Sequence, residues 1–143
     1  MHSTNYTDTF ITIAPDSHAA HATEPKETAS PTVALRTFRM LHGQPYRYTS
    51  DDVIFTVYAD RAEIPASKRA AARKDFFSKG QACLRSSDLA KRYGWGFHSD
   101  GAGKVALYAL ESAEYKAFAS GTRVGAHGKV IAVKPAMRST RKK

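Results

Sequence analysis

Two groups of side chains in this chain have the types and spacing to do chemistry. The first surrounds Arg85-Ser86-Ser87. Ser86 or Ser87 reads as the N-cap of a short helix through Arg92. Asp88 lies in its first turn and Lys91 and Arg92 in its last, as a helix dipole prefers. A helix N-terminus offers free backbone N–H groups and partial positive charge, so it takes phosphate or carboxylate. Lys79 ends the preceding helix and can fold back nearby, Arg92 adds a further charge, and Trp95 supplies a stacking or packing wall. No P-loop spacing accompanies the set, so an ordinary cap with solvated basic neighbours accounts for the same residues.

The second group is Cys83 with His98. A thiolate nucleophile needs a lowered pKa and a base or cation close by. Arg85 and Lys79 are the cations within sequence reach, and His98 is the base. The competing reading is a small buried hydrophobe after a helix. His18 and His21 are three apart, but no Cys pair, carboxylate triad or helical His-Glu motif fixes a geometry, so no metal and no cofactor are assigned. Tyr46, Tyr48, Tyr93, Trp95, Phe97 and Tyr108 either stack bases beside the basic segments or fill the core. Asp51-Asp52 read as the start of a strand rather than as paired catalytic carboxylates, since adjacent strand residues point to opposite faces.

The elements that must position these groups follow from periodicity. Tyr6 to Ala14 reads as a strand, short, β-branched and closed by Pro15. Residues 15–31 carry three prolines and no period, and read as a mobile loop. Thr32 to Leu41 reads as a second strand, with helix as the alternative because Ala, Leu, Arg and Met favour it. Val53 to Ala59 alternates apolar residues on both faces and reads as a central strand. Ile64 to Lys79 is the best helix, with Pro65 in its first turn and Gly80 at its C-cap. Tyr93 to His98 and Lys104 to Leu110 form a hairpin around Asp100-Gly101. Gly94 and Gly96 leave room for a ring or backbone to lie over them. Ser112 caps a last helix to Ser120, closed by Gly121. Val130 to Val133 adds an edge strand, and residues 139–143 read as frayed.

Strands, then helices, then a hairpin argue an α+β fold: a mainly antiparallel sheet of four to five strands with three helices on one face, ending in a hairpin plus helix. Residues 1–134 form a single domain, with 121–134 as a possible insertion, and 135–143 form a basic C-terminal tail. A chain of 143 residues with 42% hydrophobic content buries one core. No apolar run approaches the ~20 residues of a membrane span, and no signal-peptide pattern opens the chain. One Cys excludes an internal disulfide framework and suits the cytoplasm. The net charge of +9 sits in two segments: residues 61–92 hold 9 basic and 3 acidic side chains, and residues 123–143 hold 7 and none. Clusters of this kind favour a phosphate-containing ligand or nucleic acid as partner; solubility alone is the plainer account.

Several runs resemble a domain-of-unknown-function family of small uncharacterised bacterial proteins. They are Pro45 to Val53, Phe76 to Arg85, Lys91 to Gly96 with His98, and Gly103-Lys104, with Met1-His2, Asn5-Tyr6 and Ala136 to Ser139 at the ends. The resemblance spans nearly the whole chain and departs at residues 14–31 and 121–134. It implies no activity, so the functional expectation rests on the residues: binding of a nucleotide, phosphorylated metabolite or nucleic acid through Lys79, Arg85, Ser86, Ser87, Arg92 and Trp95. The alternatives are a thiol-dependent enzyme using Cys83 and His98, and a protein-interaction scaffold.

Overall fold

β1 (Thr9–Thr12) runs through the middle of the molecule, and its two central side chains point into different cores. A computed structural model describes residues 1–140. Of the basic tail, Arg141, Lys142 and Lys143 lie outside the described residues.

The two segments read as the second and third strands are helices. In α1 (Val33–Leu41) the Thr32 hydroxyl caps Leu35 N–H, and Ala34, Thr37, Phe38 and Leu41 are buried at helical spacing. Of the residues whose alternation suggested a strand, Ala34 and Phe38 are four apart and share the buried helical face, and Met40 lies off it. α2 (Ser50–Arg61) begins in a capping box: Asp52 N–H donates to the Thr49 hydroxyl, and Thr49 N–H donates to the Asp52 carboxylate. Asp51-Asp52 therefore open a helix, not a strand. α2 is buried on two sides, with Val53 and Val57 in one cluster and Phe55 and Ala59 in another, so it shows no single apolar stripe.

The long helix read at Ile64 to Lys79 is shorter. A 3-10 turn at Ala66–Lys68 leads into α3 (Arg69–Phe76), which ends at Phe77, three residues before Gly80. Phe77 packs against Phe55 and Ala59. α4 (Asp88–Lys91) is one turn long. β2 (Trp95–Ser99) and β3 (Val105–Ala109) form the expected hairpin, Trp95 opposite Ala109 and Ser99 opposite Val105. The Asp100 carboxylate accepts Ala102 and Lys104 N–H at 2.9 Å each and shapes its turn. α5 (Ala113–Ala119) has the expected Ser112 cap, and Gly121 follows it with φ +77°. β4 (Ala132–Pro135) lies two residues later than the edge strand read from sequence.

The sheet order is β3-β2-β1-β4. β1 pairs antiparallel with β2 and parallel with β4, so the sheet is mixed and the fold α+β. α1, α2 and α4 cover one face over Ile11, Phe97 and Val105. α5 covers the other with Phe10, Tyr115, Phe118 and Ile131. Gly96 makes this second face possible: a Cβ there would lie 2.5 Å from the Phe10 ring and 2.8 Å from Tyr115. A Cβ on Gly94 would meet the His21 carbonyl oxygen at 2.6 Å, so the 15–31 segment lies directly over that glycine. At the other end of the domain Ala136 is buried and its N–H donates to the Thr12 carbonyl at 3.0 Å. No helix among the described residues is long and apolar enough to cross a membrane.

Candidate functional site

The residues expected to hold an anion do not share one place. Ser87 is the N-cap of α4, its hydroxyl accepting Leu89 N–H at 3.2 Å. Arg85 works as a clasp: its Nε donates to the Pro135 carbonyl at 2.7 Å, and Met137 N–H donates to the Arg85 carbonyl at 2.7 Å. Lys79 and Ser86 are exposed. Trp95 is buried, its indole N–H donating to the Thr23 carbonyl at 2.8 Å and its ring packed on Phe38. It anchors the 15–31 segment to the sheet and presents no free stacking face. Tyr6 and Tyr48 are likewise partly buried against the same core.

Cys83 and His98 do not meet, because they lie on opposite sides of the sheet. The Cys83 sulfur sits 3.5 Å from the Tyr6 hydroxyl and lines an apolar cavity of about 170 Å³ with Val33, Ile54 and Val57. The hydrogen bond to Cys83 and burial raise the Tyr6 pKa, opposed by Arg85. His98 pairs with Phe10 across β2 and β1 and stacks on Phe118, with ring centroids 4.3 Å apart.

His98 belongs instead to a closed polar chain that spacing did not reveal. The Tyr46 hydroxyl lies 2.8 Å from His98 Nδ1 and 2.8 Å from the Tyr108 hydroxyl. His98 is 8% exposed, and among the described residues its Nε2 has no hydrogen-bond partner. Burial lowers the His98 pKa, with Asp100 and Asp8 pulling the other way and Arg123 adding to the depression. Burial and Tyr108 push the Tyr46 phenol well above its ordinary value. Tyr46 holds φ +60°, an uncommon backbone for a bulky residue, kept in place by its N–H on the Val105 carbonyl at 2.9 Å. The aromatic signal was present in the sequence, but the partner sat 52 residues away.

Arg92 lies elsewhere, in an open cleft of about 920 Å³ at the end of α4. Its walls are the 15–23 segment with His18 and His21, then Lys91 and Arg92, then Ser139 and Thr140. The segment is pinned at both ends, Ala14 N–H to the Ala90 carbonyl at 3.0 Å and Thr23 N–H to the Tyr93 carbonyl at 2.8 Å. Among the described residues Arg92 makes a loose contact with Asp88 at 3.7 Å, and its side chain is 69% exposed. Asp16 faces the same space, its carboxylate accepting Ser139 and Thr140 N–H groups. Those bonds, Thr140 first, hold it below the usual carboxylate range. Among the described residues no group of three or more His, Cys, Asp or Glu side chains is placed to hold a metal.

The profile matched by this sequence extends over residues 1–142. The chain belongs to DUF6157, a family of unknown function. No curated protein and no solved structure matches it. The family description assigns no activity, so the functional reading rests on the cleft and the closed chain.

Proposed function

We propose that the protein binds a small anionic ligand, a nucleotide or a phosphorylated metabolite, in the cleft at the end of α4. The observation that supports this is a concavity of about 920 Å³ walled by Lys91, Arg92, His18 and His21. Small-ligand sites fall at about 300–1,000 Å³. Lys91 and Arg92 outnumber the one carboxylate on its wall, Asp16, and basic side chains in a concavity raise the local concentration of an anionic ligand. Lys91 supplies a compact charge and Arg92 a planar fork suited to two phosphate oxygens. Arg92 is the one member of the anion set read from sequence that lines this cleft. A single free Cys fits a reducing compartment such as the cytoplasm.

A thermal-shift series with inorganic phosphate, nucleotides, sugar phosphates and a short single-stranded oligonucleotide tests the reading. A ligand at ~100 times its dissociation constant adds about 2.7 kcal/mol, which moves the midpoint by several degrees. The expected result is a shift with a small phosphate compound that survives moderate salt, is lost in Arg92→Glu and is kept in Lys79→Glu. Equal loss in both variants means diffuse attraction, not a site. A shift with the oligonucleotide alone, fading as salt rises, assigns the basic segments to nucleic acid. No shift with any compound removes the reading.

A further inference from the structure

We infer that the Asp16 carboxylate is a built-in occupant of an oxyanion subsite in this cleft, holding donors that an incoming phosphate or carboxylate takes over. The inference rests on the cleft being the ligand site. Three donors converge on one oxygen of Asp16: Ser139 N–H at 2.9 Å, Thr140 N–H at 3.0 Å and the Thr140 hydroxyl at 3.1 Å. Ser139 N–H also approaches the second oxygen at 3.2 Å. Successive backbone N–H groups backed by a hydroxyl form an anion-binding concavity. All of these groups line the cleft that holds Lys91 and Arg92.

The contact joins positions 123 and 124 residues apart, at an exposed place where burial does not demand it. Each side has its own anchor. Ala14 N–H on the Ala90 carbonyl holds the Asp16 segment, and Met137 N–H on the Arg85 carbonyl holds the C-terminal segment. The Asp16 side chain is thus free to rotate out while the backbone donors stay nearby. A tethered carboxylate competes with free anions for these donors and lowers their apparent affinity by the fraction of time it is seated. The charge on Asp16 also repels the ligand until it swings away.

Calorimetric titration of the full chain with inorganic phosphate tests this. Wild type, Asp16→Ala, Asp88→Asn and Arg92→Glu are compared, with amide hydrogen exchange read at Ser139 and Thr140. Asp88→Asn removes one negative charge beside Arg92 without freeing the donors. The expected result is phosphate binding about tenfold tighter in Asp16→Ala than in wild type, and clearly tighter than in Asp88→Asn. Exchange at the two amides should quicken in Asp16→Ala and slow again when phosphate is added. Equal gains in Asp16→Ala and Asp88→Asn, or amides that phosphate leaves unprotected, overturn the inference while wild-type binding through Arg92 still stands. If neither wild type nor Asp16→Ala binds phosphate, the cleft reading falls with it.

Discussion

The cleft at the end of α4 and the Tyr46–His98–Tyr108 chain under α5 are both rich in polar side chains, yet they are built in opposite ways. In the chain the hydroxyls and the imidazole bond to one another, Phe118 covers the ring, and His98 is 8% exposed. In the cleft Arg92 is 69% exposed, and its ion pair with Asp88 is long at 3.7 Å. The first arrangement contributes to stability through the bonds that Tyr46 makes to His98 Nδ1 and to Tyr108, offset in part by the unpartnered His98 Nε2. The second contributes little to stability and leaves charge for a ligand. A cluster of polar residues becomes a candidate site when its capacity is open to a ligand rather than sealed inside the fold.

The contrast is broken most severely by Phe118→Ala. Removing the ring that stacks on both His98 and Phe10 should cost about 3–5 kcal/mol in urea unfolding. Arg92→Ala, at the cleft, should stay within about 0.5 kcal/mol. A cost below ~1 kcal/mol for Phe118→Ala would show that the chain is not closed by packing. Next comes Tyr46→Phe, which strips His98 Nδ1 and Tyr108 of their shared partner. It should cost about 1–3 kcal/mol by the same measurement, and a neutral result would mean the hydroxyl chain holds nothing.

A pH series sharpens the comparison further. The folded His98 pKa lies below the ordinary 6.5, chiefly through burial. As pH falls below 6.5, the unfolded chain takes the proton first, so stability drops until the folded value is reached. The slope is at most about 1.4 kcal/mol per pH unit for one group. His98→Gln should flatten that part of the profile, and parallel profiles for variant and wild type would remove His98 as its cause. The smallest effect belongs to Arg92→Glu. Its unliganded melting midpoint should move by no more than about 2 °C, while the shift produced by phosphate disappears.

Much of the fold was legible where information is local. The hairpin was readable from alternation around Asp100-Gly101, and the caps at Ser112 and at Ser86 or Ser87, of which the fold uses Ser87, from residue type and the charge that follows them. The room over Gly94 and Gly96 was also readable, since only a missing side chain admits a neighbour that close. α2 was not, because Val53, Phe55 and Val57 alternate like a strand while packing on two sides of a helix. The Thr49–Asp52 box was the signal that outweighed them.

Of the site, the sequence by itself determined which residues carry charge, that the charge lies in two segments, and that Lys91 and Arg92 end a short helix. Tertiary structure decided which of those charges remain free. It turned Arg85 onto Pro135, put Trp95 into the core, set the sheet between Cys83 and His98, and brought Asp16 to Thr140 across 124 residues. Caps and turns are settled by bonds within a few residues, so a short window carries them. Whether a cation stays exposed depends on which distant carbonyl or carboxylate folding places beside it, and no local spacing encodes that.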